Sequence, residues 1–586
     1  MRVLRSRAAV RVSLLAPTVS LLGTQTRSLF CARSKTLLVV LLLLFSFAGL
    51  AQAAPQGGGD PGAPHLQKNG QVTQLLVDGK PFLLLGGEVH NSSSSSAEFM
   101  RPIWPRLAQA HLNTVLVPVT WQQIEPTEGQ FDFAALDSEL QDARAAKLHL
   151  VLLWMGSWKN GNSTYTPAWV KADTKRFALV QNKDGRALQI LSTFDEATRD
   201  ADAHAFAALM HHVGELDAAQ HTVLMIQLEN EVGVLGDSRD RNPAANSAFA
   251  QPVPAALMDY LVKHKDNLLP EFHYIWEEAG FKTSGTWEDL FGRGPADQVF
   301  MAWSYARYVD HVAEAGKAAY SVPMFINTWL VQPEDKGPGD YPSGGAVAQM
   351  HDVWQAGAPH VDILAPDIHL PDTPGILASY SRNGNPVFIP ESSAGVSGSA
   401  NAFYAFGQYG AIGYSPFGIE DQADADSPIS KAYAVLSEMA PLILKHQAAG
   451  TIAGAWLTKE RPTQDVSLGD YTLHFALRRG FRATVFPDSG YALVLATGPN
   501  EYTVAGSDVQ VTFSPNTPGA PVVGLATVQE GTFQDGRWVP GRLLNGDETQ
   551  LRYDLSVAAG ENQSGTGLSF AGNGPTIQHV QLYRYP

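Results

Sequence analysis

Val223-Leu224-Met225-Ile226-Gln227-Leu228-Glu229-Asn230-Glu231 is a short apolar run that ends abruptly in polar side chains, two of the last three being carboxylic acids. A run of this length that is apolar without alternation reads as a strand buried on both faces, the kind found in parallel sheets. Similar runs recur on either side of it. Leu83–Leu85, Thr114–Val119 and Leu148–Leu153 precede it, and Met324–Ile326, Val361–Leu364, Pro386–Ile389 and Ala411–Tyr414 follow. Segments with helical spacing lie between them, among them Phe99–Ala110, Phe133–Lys147, Ala203–Leu216, Ala256–Lys265 and Met301–Ala319, and Ser427–Leu444 closes the series. Eight such β-then-α units predict an α/β fold, a (β/α)8 TIM barrel, over residues 71–450. Beyond Gly450 the texture changes to short alternating runs, Thr472–Leu477, Phe481–Phe486, Tyr491–Ala496 and Val509–Phe513, separated by turn residues. That pattern predicts an all-β, sandwich-like accessory domain over 451–586.

With 586 residues, 45% hydrophobic and 17% charged, the chain has ample material for a large core and is not a disordered protein. Its net charge of −16 argues against nucleic acid as a partner. Residues 1–53 carry Arg2 to Lys35 as basic residues and no acid, then the apolar run Leu37–Phe45 and the small-x-small triplet Ala51-Gln52-Ala53. This is the pattern of a secretory signal, so the expectation is an exported protein, periplasmic or extracellular, with no membrane anchor once the signal is removed. Residues 54–70, opening on a stretch rich in Gly, Pro and Ala, are expected to be a flexible leader. The single cysteine, Cys31, falls within the signal, which leaves no thiol for disulfides, metal sites or nucleophilic catalysis in the mature chain. His204, His211 and His212 lack zinc-peptidase spacing, Ser392, Ser393 and Ser397 lack a nucleophile elbow, and no phosphate-cradling glycine pattern follows a strand. Neither a metal nor an organic cofactor is expected.

In a barrel of this kind reacting groups project from the C-terminal ends of the strands. The fourth strand ends at Glu229, Asn230 and Glu231, and the seventh, Pro386–Ile389, runs into Glu391. Strict alternation would put Gln227, Glu229 and Glu231 on one face and Asn230 on the other, although a bulge at the rim re-aims such side chains. Strands four and seven face each other across the barrel mouth. Two carboxyl groups with a sugar between them can break an acetal, one protonating the leaving oxygen while the other attacks the anomeric carbon. A single glutamate at a strand end reads as a capping or ion-paired acid; two, each closing an apolar strand, read as a catalytic pair. Glu88 and His90 end strand one and can bind sugar hydroxyls. Trp158, Trp329 and Tyr414 lie at or after strand ends, where aromatic faces can stack on a pyranose; a core or rim packing role is an equal alternative for each. Asn327 and Asp367 end strands five and six and are weaker candidates.

Gln227-Leu228-Glu229-Asn230-Glu231 resembles the Gln-x-Glu-Asn-Glu signature of the β-galactosidases of glycoside hydrolase family 35, in clan A of the retaining barrel hydrolases. Leu76-Val77-Asp78-Gly79-Lys80-Pro81-Phe82 with Gly86-Gly87-Glu88-Val89-His90 resembles that family's first strand, and Trp121-Gln122-Gln123-Ile124-Glu125-Pro126 its second loop. The resemblance implies Glu231 as general acid/base, Glu391 as nucleophile and Asn230 as hydrogen-bonding partner of the sugar's 2-hydroxyl. Departures are local: Asn91 stands where the family has Tyr, Val232 where an aromatic follows Asn-Glu, and Trp154–Asn160 replaces the segment after strand three, with Asn160 near that segment's glutamate. The function implied is an exported exo-β-galactosidase releasing terminal galactose from oligosaccharides or polysaccharides such as plant-wall xyloglucan. The alternatives are another clan A β-glycosidase, namely a β-glucosidase, β-mannosidase or endo-glucanase, or a non-catalytic glycan-binding protein. For the C-terminal β-domain, structural support is preferred over carbohydrate binding.

Overall fold

A computed structural model of the chain describes residues 62–478, 486–544, 546–551 and 565–586. The expected signal, residues 1–53, the leader before residue 62 and all but Phe486 of the expected strand Phe481–Phe486 lie outside the described residues. Parallel strands Thr114–Thr120, His149–Lys159, Val223–Asn230, Met324–Thr328, Ile363–Ile368 and Glu391–Ser392 hydrogen-bond side by side in chain order. Phe388–Ile389, Gly413–Tyr414 and Leu84–Leu85 continue the wall. Glu88 closes it, bridging in parallel to Leu116 on one side and Phe417 on the other. The seventh strand is split at Pro390, which has no N–H to give a ladder; its first half pairs with strand eight and its second with strand six. The eight strands and their intervening helices form the expected (β/α)8 barrel.

The lower interior is packed with apolar side chains, including Leu116, Leu153, Met225, Phe325 and Phe388. Leu75 and Val77 join this cluster from below. They belong to a small antiparallel sheet, His65–Asn69, Val72–Val77 and Lys80–Phe82, that plugs the barrel floor. Gln74 fixes it to the last barrel helix through a bond from Nε2 to the Leu444 carbonyl (2.8 Å). Residues 65–69, assigned to the flexible leader on composition, are therefore a strand, because their backbone groups pair with the hairpin that follows. With the floor plugged, polar chemistry is confined to the upper rim.

Local sequence explains where helices depart from expectation. Phe99–Ala110 is not one helix but two turns, Ala97–Met100 and Trp104–Gln109, since Pro102 and Pro105 interrupt the hydrogen-bond series. Gly395–Gln408 is a helix that its Gly- and Ser-rich start conceals. A Cβ on its Gly407 would sit 2.8 Å from the Ala453 carbonyl oxygen, so glycine is what lets this helix lie against the β-domain.

The last barrel helix ends at Ala449, and β-structure begins at Ile452. Among the described residues two antiparallel sheets, one of six strands and one of four, face each other over a core that includes Leu457, Leu473, Phe475 and Val504. The reverse face of the larger sheet sends Tyr491, Leu493 and Phe533 into the core that lines the barrel helices, and Trp456 Nε1 donates to Asn401 Oδ1 (3.0 Å). Among the described residues no helix is long and apolar enough to cross a membrane.

One buried acid makes stability depend on pH. Glu139, on helix Ala134–Ala145, is 4% exposed, and burial, with Asp142 adding repulsion, pushes its carboxyl up to about 8. A raised folded-state value means the protonated form stabilises the fold; that contribution is complete below the unfolded carboxylate range and is lost as pH rises through about 8. Glu139→Gln, which keeps the volume and removes the charge, is expected to match the parent's melting temperature near pH 5. At pH 8.5 it should melt a few degrees higher, from a gain on the order of 2–4 kcal/mol. Equal melting temperatures at both pH values would show that Glu139 ionises without cost.

Candidate active site

Strand four ends in an unusual backbone. Glu229 and Glu231 both have positive φ, 57° and 46°, a region costly for residues with a Cβ. The consequence is a break in alternation. Glu229 turns outward to the helix layer, where its Oε2 accepts from the Trp158 backbone N–H (2.8 Å) and it meets Asp202. Asn230 and Glu231 are thereby both released to the rim, which regular alternation forbids. The backbone N–H of Glu231 donates to Asn327 Oδ1 (2.9 Å), and Asn327 Nδ2 donates to Asp367 Oδ2 (2.8 Å). Asp367 is in turn the registered neighbour of Glu391 on strand seven. A continuous polar chain thus runs round the rim from strand four to strand seven.

The carboxyl groups so gathered share one electrostatic environment. Glu231 is 7% exposed and Glu391 9%. Burial, and then the charge of Glu391, push the Glu231 carboxyl up to about 7, against opposing effects from Lys159, Asp367 and His369. Burial and Glu391 also hold Glu88 and Asp367 well above the usual carboxylate range. Glu391 Oε1 hydrogen-bonds His369 Nε2 (2.9 Å), which raises that imidazole above its ordinary value. Its other oxygen, Oε2, is buried with no hydrogen-bond partner. Glu231 and Glu391 therefore differ in kind: one carboxyl keeps its proton to near neutrality, while the other is hydrogen-bonded to an imidazole.

Other expected residues fall into place less uniformly. Glu88 is buried at the site. His90 is exposed, paired with Asp421 (2.9 Å), and its backbone N–H donates to Glu420 Oε1 (2.9 Å). Glu420, after strand eight, also accepts from Ser93 Oγ (2.7 Å). Asn160 serves through its backbone. With Gly161 it forms a two-residue hairpin loop between Lys159 and Asn162, φ positive at both positions, the geometry Asn-Gly favours. From this loop the N–H groups of Asn160 and Gly161 donate to the carbonyls of Asn230 (3.2 Å) and Glu231 (3.1 Å), bracing the strained strand end. Trp329 is half-buried just beyond strand five.

Two aromatic assignments are corrected. Trp158 is 1% exposed, its ring edge-on to Tyr305 and Tyr308 and its Nε1 bonded to the Leu191 carbonyl (3.1 Å); it packs on the helix side and offers no face to a sugar. Tyr414 is fully buried, with its hydroxyl bonded to Ser392 Oγ (2.7 Å) and the Ser393 carbonyl (3.1 Å), so it supports the segment after Glu391 from behind. Two site residues escaped sequence reading. Lys159, whose Nζ donates to Asn230 Oδ1 (3.0 Å), ends a strand that runs six residues past its expected end at Leu153. His369 lies two residues after Asp367, a same-face spacing that was available as a signal.

Comparison with known proteins gives partial likenesses. Residues 92–269, which include Glu231, match the model of glycoside hydrolase family 42, described as β-galactosidase. Residues 429–556 match that of a domain of unknown function, DUF5597. Over 178 residues the chain is 32% identical to a β-galactosidase of Xanthomonas manihotis; the match takes in 28% of this chain and 26% of that protein, about a quarter of its length. Among solved structures, the β-galactosidase of Marinomonas ef1 is 14% identical, with 63% of this chain and 60% of that one covered and a TM-score of 0.42. The β-amylase catalytic domain of Paenibacillus polymyxa is 12% identical, with 62% and 98% covered and a TM-score of 0.41. The sequence likeness is thus to clan A β-galactosidases through a family 42 segment, and the narrower resemblance to family 35 finds no support in these matches.

Proposed function

We propose that the chain is an exported, retaining exo-β-galactosidase that removes terminal β-galactosyl residues from oligosaccharides or polysaccharides by double displacement. The observation that carries this reading is the unequal pair at the rim, with Glu231 kept protonated toward neutrality beside Glu391. In the first step Glu391 attacks the anomeric carbon while Glu231 gives its proton to the departing oxygen, leaving a galactosyl ester on Glu391. Ester formation removes the charge of Glu391, which lowers the proton affinity of Glu231 and lets it take a proton from the water that opens the ester. Configuration at the anomeric carbon is retained, because two inversions occur. Asn230 serves the 2-hydroxyl, and Glu88, a buried carboxyl held above the usual carboxylate range, serves another hydroxyl of the ring. The likeness to the Xanthomonas manihotis protein supports galactose as the sugar, and the presequence supports export.

Nitrophenyl β-galactoside is expected to be hydrolysed at least about tenfold faster, in kcat/KM, than the corresponding glucoside or mannoside. Proton NMR of the first-formed sugar should show the β-anomer. Faster turnover of the glucoside or mannoside would move the specificity elsewhere in the clan. An α-anomer as first product would remove the covalent route, and binding of galactosides without turnover would favour a glycan-binding protein.

A further inference from the structure

Among the described residues Lys159 is the one cation whose side chain bonds into the strand-four end. Its ammonium has donors only, so the atom of the Asn230 amide facing it at 3.0 Å must be oxygen. This fixes an amide that is otherwise free to flip by 180°, since its oxygen and nitrogen ends are nearly the same shape. The far end is then an NH2 group, and Asn230 Nδ2 is buried without a hydrogen-bond partner. A buried donor left unpaired is costly, and this one is held in place by a residue that is itself only 8% exposed. Three carboxyl oxygens of the same rim cluster, Glu88 Oε1, Asp367 Oδ1 and Glu391 Oε2, are likewise buried without a partner. A sugar hydroxyl both accepts and donates, and so can take the Asn230 donor while giving its own proton to an acceptor of the site.

Resting on the reading given above, we propose that Lys159 is a positioning residue that locks Asn230 as a donor to the oxygen of the substrate's 2-hydroxyl, making turnover depend on that group. Asn230, by donating to that oxygen, turns the hydroxyl's own proton toward an acceptor of the site, and this proton grows more acidic as positive charge develops at the adjacent anomeric carbon, so the effect falls on kcat as well as on binding. Lys159 also faces Glu88, Glu231, Asp367 and the His369 imidazole, which bonds Glu391.

The test compares nitrophenyl β-galactoside with its 2-deoxy analogue in the parent and in Lys159→Met. The parent is expected to favour the hydroxylated substrate strongly. In Lys159→Met, kcat/KM for the hydroxylated substrate should fall about 30-fold or more while that for the 2-deoxy substrate changes less than about threefold, so that the preference collapses. The alkaline limb of the pH profile should also move up, as a cation lowering the Glu231 carboxyl is gone. Asn230→Asp retains the Lys159 contact and removes the donor; it should lose the same preference, which keeps the test alive if Lys159→Met does not fold. Lys159→Arg, still a donor, should retain much of the preference. Equal losses on both substrates in Lys159→Met, or an undiminished preference in Asn230→Asp, overturn the proposal. A parent that hydrolyses no β-galactoside defeats the functional reading itself, and the two failures are therefore distinct.

Discussion

Glu391→Ala is expected to lower kcat for every β-galactoside by about 10⁴-fold or more, because on the proposed mechanism it removes the carboxylate that forms the covalent intermediate. The size follows from the chemistry. Without a nucleophile the reaction must proceed by direct attack of water on a cation-like centre, in a site shaped for a carboxylate oxygen. Three further consequences separate this from simple damage. The vacated space should admit azide, which would give a galactosyl azide of inverted configuration and restore part of the rate. Glu231 loses the charge that helps hold its proton, so its ionisation should move down from about 7, though not to the ordinary carboxylate range, since burial is the larger cause. His369 loses the partner that raises it and should titrate at lower pH, visible in its ring proton shifts. The melting temperature should stay near that of the parent, for Glu391 bonds one half-exposed imidazole and no core group. Retained activity in this variant would end the double-displacement account.

The parts of this architecture that sequence could disclose were those governed by burial. Each barrel strand is apolar on both faces because it is covered by helices outside and packed side chains within, and an acid closing such a run stands out, which is why Glu231 and Glu391 were legible from neighbours alone. Whether a polar or aromatic residue near a strand end faces the rim or the helix layer is another matter. It depends on backbone irregularities that no periodicity encodes. Positive φ at Glu229 and Glu231 sends one acid outward and brings Asn230 and Glu231 together, contrary to alternation. Strand three slips against strand four, Trp154 opposing Leu228 but Lys159 opposing Asn230; this carries Trp158 into the core and delivers Lys159 to the site. Tyr414 was placed correctly along the chain, yet its ring lies behind the strand rather than above it. The helix Gly395–Gln408 was hidden because its glycines and serines answer to close packing against the β-domain and not to helix propensity.

Glu231→Ala should produce a loss that depends on the leaving group, the expected mark of a missing acid. A dinitrophenolate departs without protonation, so for dinitrophenyl β-galactoside the first step should slow by less than about tenfold. A sugar alkoxide does not, and hydrolysis of a galactosyl disaccharide should fall by about 10³-fold or more, within the range proton transfer contributes. Because water attack on the ester also needs Glu231, as base, the galactosyl-enzyme should accumulate with the activated substrate, giving a burst followed by slow turnover. Azide needs no base and should relieve that second step, yielding a β-galactosyl azide, the configuration opposite to that expected from Glu391→Ala. The pH profile gives an independent reading. In the parent, kcat/KM for the disaccharide should decline as pH rises through about 7, where the proton held by burial and by Glu391 is lost; in Glu231→Ala this limb should disappear. Equal losses for activated and natural substrates, with the alkaline limb intact, would assign the proton to another group. Asp367, which bonds Glu231 and whose carboxyl burial raises well above its ordinary range, is the neighbour to which the role would then pass.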